Sequence, residues 1–281
     1  MSRRAGIIGH PVAHSLSPVF QAAAFAHCGL DVQYEFWDTE QEALAGRLVS
    51  LRDGATLGAN VTIPYKEAVI PYLDELGGQS ARVGAVNTIV NRSGRLFGFN
   101  TDGPGFVAAL RNEAAFDPAG KSILLLGAGG AARGIAFALA EARVDNLGIW
   151  NRTSDRASRL AMDVNAAHVQ ASVHTARSSD PGGYDCVVNC TSVGMEGGGN
   201  AGEVPSDLSL ARQGALAVDI VYKPEETAFL QTARAHGVRT LGGLPMLIYQ
   251  GALAFELWTG VPAPVDVMFE AARARLRDGG R

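Results

Sequence analysis

The segment LLLGAGGAARG, residues 124–134, sets an apolar run against a turn of small residues, a pairing that suits a phosphate better than a metal. Gly127 permits the tight turn, Gly129 lets the backbone approach an anion, and Ala132 stands where a third small residue allows helix and strand to pack closely. Gly127, Ala128, Gly129, Gly130 and Ala131 would then present backbone N–H groups at a helix N-terminus, whose partial positive charge favours a pyrophosphate. About twenty residues further on, WNRTSDR places Asn151, Arg152 and Thr153 at the end of the next apolar run. An acidic residue there would hold the ribose hydroxyls of NAD. A guanidinium suits the 2′-phosphate of NADP instead, because its fork can grip an oxyanion with two parallel bonds. Arg156 reads equally as a second phosphate contact or as a solvent residue.

A second kind of chemistry is suggested by NVTIPYKEAV, residues 60–69, where Lys66 follows a short apolar strand and a proline. A lone cation there is either an exposed lysine in the first turn of a helix or a group with a specific task. The first turn of a helix is electrostatically poor for a cation, which favours the specific task.

These residues need elements to hold them. AGIIG reads as a buried first strand, and a helix follows from Pro18 with Ser17 as its N-cap and proline at the first helical position. VQYEFWD alternates as a second strand, Leu44, Leu48 and Leu51 fall at helical spacing, and GANVTIPYKEAV reads as a strand running into a helix. GAVNTIV and GRLFGFNTD are two strands joined by an NRSG turn. From residue 121 the pattern is strand, glycine turn, helix, strand, the length of one mononucleotide-binding half. Strands at DCVVNCTS, GALAVDIV and VRTL and a helix at EETAFLQTARAHG extend it, and helices are expected over 247–257 and 265–276.

At 281 residues, with 47% hydrophobic residues and 34 glycines, the chain has the size and composition of a two-domain α/β protein. The formal charge of −4 and the lack of a basic run argue against nucleic acid as partner. The three cysteines, Cys28, Cys186 and Cys190, form no CxxC pair, so no disulfide framework and no metal site is expected. They read as buried thiols of a cytoplasmic protein. His10 and Pro11 break the apolar stretch after the first arginines, and no run long enough to span a bilayer follows, so neither export nor a membrane partner is expected.

GHPVAHSLSP, NVTIPYK, GAVNT and FNTDGPG, followed in order by GAGGAARG, NRTSDRA, NCTSVGM, DIVYKPEETAFL and GGLPMLIYQGALAFELWTG, resemble the shikimate dehydrogenase family over nearly the whole chain. The resemblance implies NADPH-dependent reduction of 3-dehydroshikimate to shikimate in aromatic amino-acid biosynthesis. It maps the family's catalytic pair onto Lys66 and Asp102, treated as one proton-exchanging unit. It assigns Ser15 and Ser17 to the substrate carboxylate, and Thr62, Asn87, Tyr222 and Gln250 to its hydroxyls and carboxylate. Thr191, Ile220 and Gly243 become contacts around the nicotinamide. The chain departs from the family at VFQAAA, which keeps only Gln21 of a more polar segment, and at Gly78, where many members carry a polar or acidic residue.

The expected architecture is therefore α/β: a substrate-binding and catalytic domain over 1–102, a Rossmann-type NADP-binding domain over 103–244, and C-terminal helices over 245–281 returning to the first domain. The substrate is expected in the cleft, and the protein as a monomer or homodimer. The rival expectations are a quinate/shikimate dehydrogenase of broader substrate and cofactor use, and a non-catalytic NADP-sensing protein on the same fold. Methylene-tetrahydrofolate dehydrogenase shares the general architecture, but the serine pair and NTD point away from it.

Overall fold

The computed structural model describes residues 2–167, 171–197 and 200–278. The chain forms two compact units, Met1–Thr101 with Ile248–Arg281, and Asp102–Leu247.

In the first unit the order is β1 (Arg3–Gly9), α1 (Ser17–His27), β2 (Val32–Asp38), α2 (Leu44–Ser50), β3 (Thr56–Val61), β4 (Glu75–Leu76), α3 (Ser80–Val83), β5 (Thr88–Arg92) and β6 (Arg95–Phe99). Six strands lie side by side as β2-β1-β3-β5-β6-β4. β1 runs parallel to both β2 and β3, whereas β3, β5 and β6 are antiparallel in succession. All six residues of β3 are buried, as expected of a central strand covered on both faces. Its Leu57, Ala59 and Val61 belong with Ile8, Trp37, Leu48, Ile89 and Leu96 to the apolar interior. Burying each large aliphatic side chain is worth about 1.5–3 kcal/mol. The turn between β5 and β6 places Ser93 and Gly94 both at positive φ, 54° and 84°, which matches the right-handed twist of a two-residue hairpin.

Two local expectations are corrected here. The helix expected after Pro64 is a series of turns ending in a single 3-10 turn, Ile70–Tyr72. Pro71 explains it: proline cannot donate to the Glu67 carbonyl four residues back, and its ring would crowd that oxygen. Instead Ile70 N–H donates to Glu67 O at 3.2 Å, three residues back. Ser17, expected as an N-cap, is the first residue of α1; the cap position is Leu16, and it is Ser15 Oγ that accepts from the Ser17 N–H at 3.2 Å.

The second unit runs α4 (Asp102–Ala114), β7 (Ser122–Leu126), α5 (Gly130–Glu141), β8 (Asn146–Trp150), α6 (Ser154–Ala167), β9 (Ser172–Thr175), β10 (Cys186–Asn189), β11 (Leu216–Asp219), α7 (Ala228–Ala235) and β12 (Arg239–Leu241). Its sheet order is β12-β11-β10-β7-β8-β9, parallel throughout. This is the doubly wound order of a dinucleotide-binding sheet, whose switch point lies between β7 and β10. SILLL, CVVN and LAVD lack polar alternation because helices cover both faces of such a sheet.

α8 (Leu244–Thr259) leads back from the second unit, and α9 (Val265–Asp278) packs on α1. Trp258 Nε1 donates to Ile89 O at 2.9 Å and Gln21 Nε2 to Gly251 O at 2.9 Å, so α8 is tied to β5 near its end and to α1 at its middle. Among the described residues no helix is long and apolar enough to cross a membrane, and no group of His, Cys, Asp and Glu could hold a metal ion.

Candidate active site

Backbone bonds gather the polar motifs of the first unit at the ends of its central strands. Thr62 N–H donates to Ile8 O at 2.9 Å, Val61 N–H to Asn87 O at 2.8 Å, and Asn87 N–H to Phe99 O at 3.0 Å. Val86 N–H donates to Lys66 O at 2.7 Å, which fastens the lysine's backbone beside GAVNT. Tyr65, buried, donates from its hydroxyl to Thr39 O at 2.7 Å and anchors the turn from which Lys66 projects. Lys66 and Thr62 are half-buried, and Asn87 and Gln250 are buried.

A buried polar network runs beneath these residues. Asn87 Oδ1 accepts from Thr101 N–H at 2.7 Å, and its Nδ2 donates to Gln250 Oε1 at 3.3 Å and to Thr101 Oγ1 at 2.9 Å. Asn60 Nδ2 donates to Thr88 Oγ1 at 3.2 Å, and Thr88 Oγ1 donates to Asn87 Oδ1 at 3.2 Å. Tyr34 donates to Asn60 Oδ1 at 2.7 Å and is also hydrogen-bonded to Ser17. Burial pushes the Tyr34 hydroxyl well above its ordinary range, with the Ser17 bond working the other way. Ser17, Thr88, Asn87, Thr101 and Gln250 are thereby held in one connected set. Such networks fix side-chain orientation because each broken bond would leave a buried polar group unpaired.

Sequence reasoning passed over Tyr34, Asn60 and Thr101. The signal for Asn60 was available, since it is a polar residue inside a strand buried along its whole length. Tyr34 was masked by a strand pattern in which an aromatic residue is ordinary.

In the second unit Gly127 follows β7 with φ at +113°, and its N–H donates to Trp150 O at 2.7 Å. A Cβ there would lie 3.1 Å from Thr191 Cγ2 and 3.2 Å from Cys190 O. The glycine turn and Thr191 are therefore neighbours at the switch point of the sheet. Gly129 caps α5 from an extended conformation, Ala128 and Ala131 are half-buried, and a Cβ on Gly129 or Gly130 would meet no protein atom within 4 Å. The start of α5 thus leaves its backbone N–H groups open to an anion.

Asn151 Nδ2 donates to Thr153 O at 2.8 Å and shapes the turn after β8. Arg152, Thr153 and Arg156 are exposed there, and among the described residues neither arginine pairs with a carboxylate. This donor set fits a dinucleotide carrying an extra phosphate.

Asp102 opens α4, where a carboxylate suits the helix dipole. It is buried, 6% exposed. Gly103, beside it, lets α4 approach α5 so closely that a Cβ would lie 2.4 Å from Gly134 O and 2.7 Å from Ala138 Cβ. The position of Asp102 is therefore fixed to the same helix that the glycine turn begins. Tyr222, half-buried, has its hydroxyl pushed above the ordinary range by burial. Gly243 N–H donates to Val221 O at 3.2 Å, which sets Gly243 against the Ile220–Val221 backbone.

Of the residues read from the sequence, Ser15, Ser17, Thr62, Lys66, Asn87 and Gln250 belong to the first unit. Asp102, Gly127 to Ala131, Asn151 to Thr153, Arg156, Thr191, Ile220, Tyr222 and Gly243 belong to the second.

Family models match three stretches of the chain. Residues 7–89 match the shikimate dehydrogenase substrate binding domain, 110–196 match shikimate/quinate 5-dehydrogenase, and 243–273 match the shikimate 5′-dehydrogenase C-terminal domain. The shikimate dehydrogenase (NADP(+)) of Moorella thermoacetica is 48% identical over 276 residues, covering 96% of this chain and 92% of that one. The chain belongs to the shikimate dehydrogenase family. A second shikimate dehydrogenase (NADP(+)), from Symbiobacterium thermophilum, is 45% identical over 96% of this chain and 94% of its own. Among solved structures, the shikimate 5-dehydrogenase of Thermus thermophilus, in complex with NADP(H) and shikimate, superposes with a TM-score of 0.87. It is 44% identical and covers 97% of this chain and 99% of its own.

Proposed function

We propose that this protein is an NADP-dependent shikimate dehydrogenase, reversibly reducing 3-dehydroshikimate to shikimate with NADPH on the route to chorismate and the aromatic amino acids. The observation that carries this reading is near-half identity, along almost the full length of both chains, to a protein named for that activity.

Bound NADPH supplies a hydride to the ketone carbon; the remaining tasks fall to side chains. The Lys66 ammonium gives its proton to the oxygen as negative charge builds there, and in the reverse direction the amine takes it back. Asp102 orients that ammonium and accepts from a ring hydroxyl. Ser15 and Ser17 donate to the carboxylate, which the start of α1 also favours. Thr62, Asn87, Tyr222 and Gln250 bond the hydroxyls and carboxylate that fix the ring. In the second unit Gly127 to Ala131 hold the pyrophosphate, and Asn151, Arg152, Thr153 and Arg156 the 2′-phosphate. Thr191, Ile220 and Gly243 border the nicotinamide. Holding hydride donor and carbonyl carbon in one orientation supplies much of the rate. The three thiols, none in a disulfide, suit the reducing cytoplasm in which we place the protein as a monomer or homodimer.

The test crosses 3-dehydroshikimate and 3-dehydroquinate with NADPH and NADH, following absorbance at about 340 nm, where the reduced nicotinamide absorbs. 3-Dehydroshikimate with NADPH is expected to give the highest kcat/KM, within the usual range of about 10⁴–10⁸ M⁻¹s⁻¹. A flat trace would favour a cofactor-sensing role, and a preference for 3-dehydroquinate or NADH would favour a broader dehydrogenase.

A further inference from the structure

The loops that follow β10 and β11 carry Thr191, Ile220 and Tyr222, and both are tied to one buried carboxylate. In the parallel register, Asn189 at the end of β10 stands beside Asp219 at the end of β11, and both are fully buried. Asn189 Nδ2 donates to Asp219 Oδ1 at 3.0 Å and to Val193 O at 3.0 Å. Asn189 Oδ1 accepts from Thr191 N–H at 3.1 Å and from Thr191 Oγ1 at 2.6 Å, while Thr191 Oγ1 accepts from Val193 N–H at 3.1 Å. The same Oδ1 also accepts from Val221 N–H at 3.0 Å, and Oδ2 accepts from Thr227 Oγ1 at 2.7 Å. Thr227 in turn caps α7 through Leu230 N–H, and Val221 O accepts from Gly243 N–H.

Stability alone does not account for this arrangement. A buried carboxylate is costly even when its oxygens are bonded, and a well-packed apolar side chain continuing the run LAV would serve the core as well. What the carboxylate provides is geometry, since the loops after β10 and β11 both meet on its Oδ1 while Oδ2 holds Thr227 at the start of α7.

We propose that Asp219 is a positioning residue for the nicotinamide end of the bound dinucleotide, acting through Asn189 on Thr191 and through Val221 on Ile220 and Gly243. The proposal rests on the reading of those three residues as nicotinamide contacts. Asp219 itself touches no reacting atom.

Binding of two ligands separates this role from general support of the fold. NADPH spans the whole site, whereas adenosine 2′,5′-bisphosphate carries the adenine end and lacks the nicotinamide. In Asp219→Ala, which removes the oxygen that Asn189 Nδ2 and Val221 N–H both bond, the Kd for NADPH is expected to rise about tenfold by fluorescence titration. The Kd for adenosine 2′,5′-bisphosphate is expected to stay within about twofold, and kcat at saturating NADPH to fall. Asn189→Ser, which cuts the Thr191 branch and leaves the Val221 bond to Asp219, is expected to show the same selective loss and serves if Asp219→Ala does not fold. Equal weakening of both ligands, or no change in either, would overturn the positioning role while leaving the dehydrogenase reading intact. Failure of the unaltered protein to bind NADPH would remove both.

Discussion

Asn87 donates a hydrogen bond to Gln250 across 163 residues of sequence, and the same asparagine accepts from the Thr101 backbone N–H at 2.7 Å. The two bonds differ in what their loss exposes. Asn87→Ala strands a buried backbone donor, a loss worth about 1–3 kcal/mol, and is expected to lower Tm by several degrees. Gln250→Ala leaves the Thr101 N–H paired and is expected to shift Tm far less while raising KM for 3-dehydroshikimate about tenfold. Thermal melts beside steady-state kinetics check both, and equal losses of Tm in the two variants would contradict the division.

Arg152 bears on cofactor choice. It is exposed after β8, where a guanidinium can meet a phosphate but no ribose hydroxyl requires it. Arg152→Ala is expected to raise KM for NADPH on the order of tenfold or more, as the loss of a charge-assisted bond would, with KM for NADH nearly unchanged. Added salt should narrow the difference, because an exposed ion pair is screened. A parallel loss with both cofactors would move the 2′-phosphate site elsewhere.

Acid stability should depend on Asp74. Its Oδ2 accepts from Arg52 Nη1 at 2.6 Å and from Leu96 N–H at 2.7 Å, and Arg52 also donates to Gly94 O at 2.8 Å and Tyr72 O at 3.1 Å. The hydrogen bond from Arg52, then that from the Leu96 backbone, hold the Asp74 carboxyl below the usual carboxylate range. With the folded value below the unfolded one, the stabilisation is complete above the unfolded value and is lost as pH falls through the folded one. Asp74→Asn is expected to unfold at lower urea than the parent protein near neutrality, with the gap closing on acidification. A gap that is constant from neutral to acid pH would show that the charge of Asp74 plays no part.

The fold was legible where one principle governed a segment alone. VQYEFWD alternates, and the strand is Val32–Asp38; SILLL is unbroken apolar sequence, and it forms a central strand of the second unit's sheet. The sequence misled where two principles competed. Lys66 and the residues after it have the composition of a helix, but Pro71 removes the donor that a second turn would need. Ser17 has the chemistry of an N-cap, but Leu16 occupies the cap position, and Ser17 is the first helical residue, its N–H donating to Ser15 Oγ.

Contacts set by strand register were not legible. Asn189 and Asp219 are 30 positions apart and meet because their strands end level in a parallel sheet. The closeness of Gly127 to Thr191 likewise depends on β10 lying next to β7, an order that the chain's linear sequence does not display. For the site, the sequence named the polar side chains of the strand ends, Thr62, Lys66 and Asn87. It did not name Asn60 and Thr101, which complete the network under them.

The most direct test of the proposed chemistry is kcat for 3-dehydroshikimate reduction in Lys66→Ala, measured at saturating NADPH. With the proton donor gone and the binding groups in place, kcat is expected to fall by at least about 10²-fold while KM stays close to that of the parent protein. A kcat near the parent value would contradict the role of Lys66 in proton transfer.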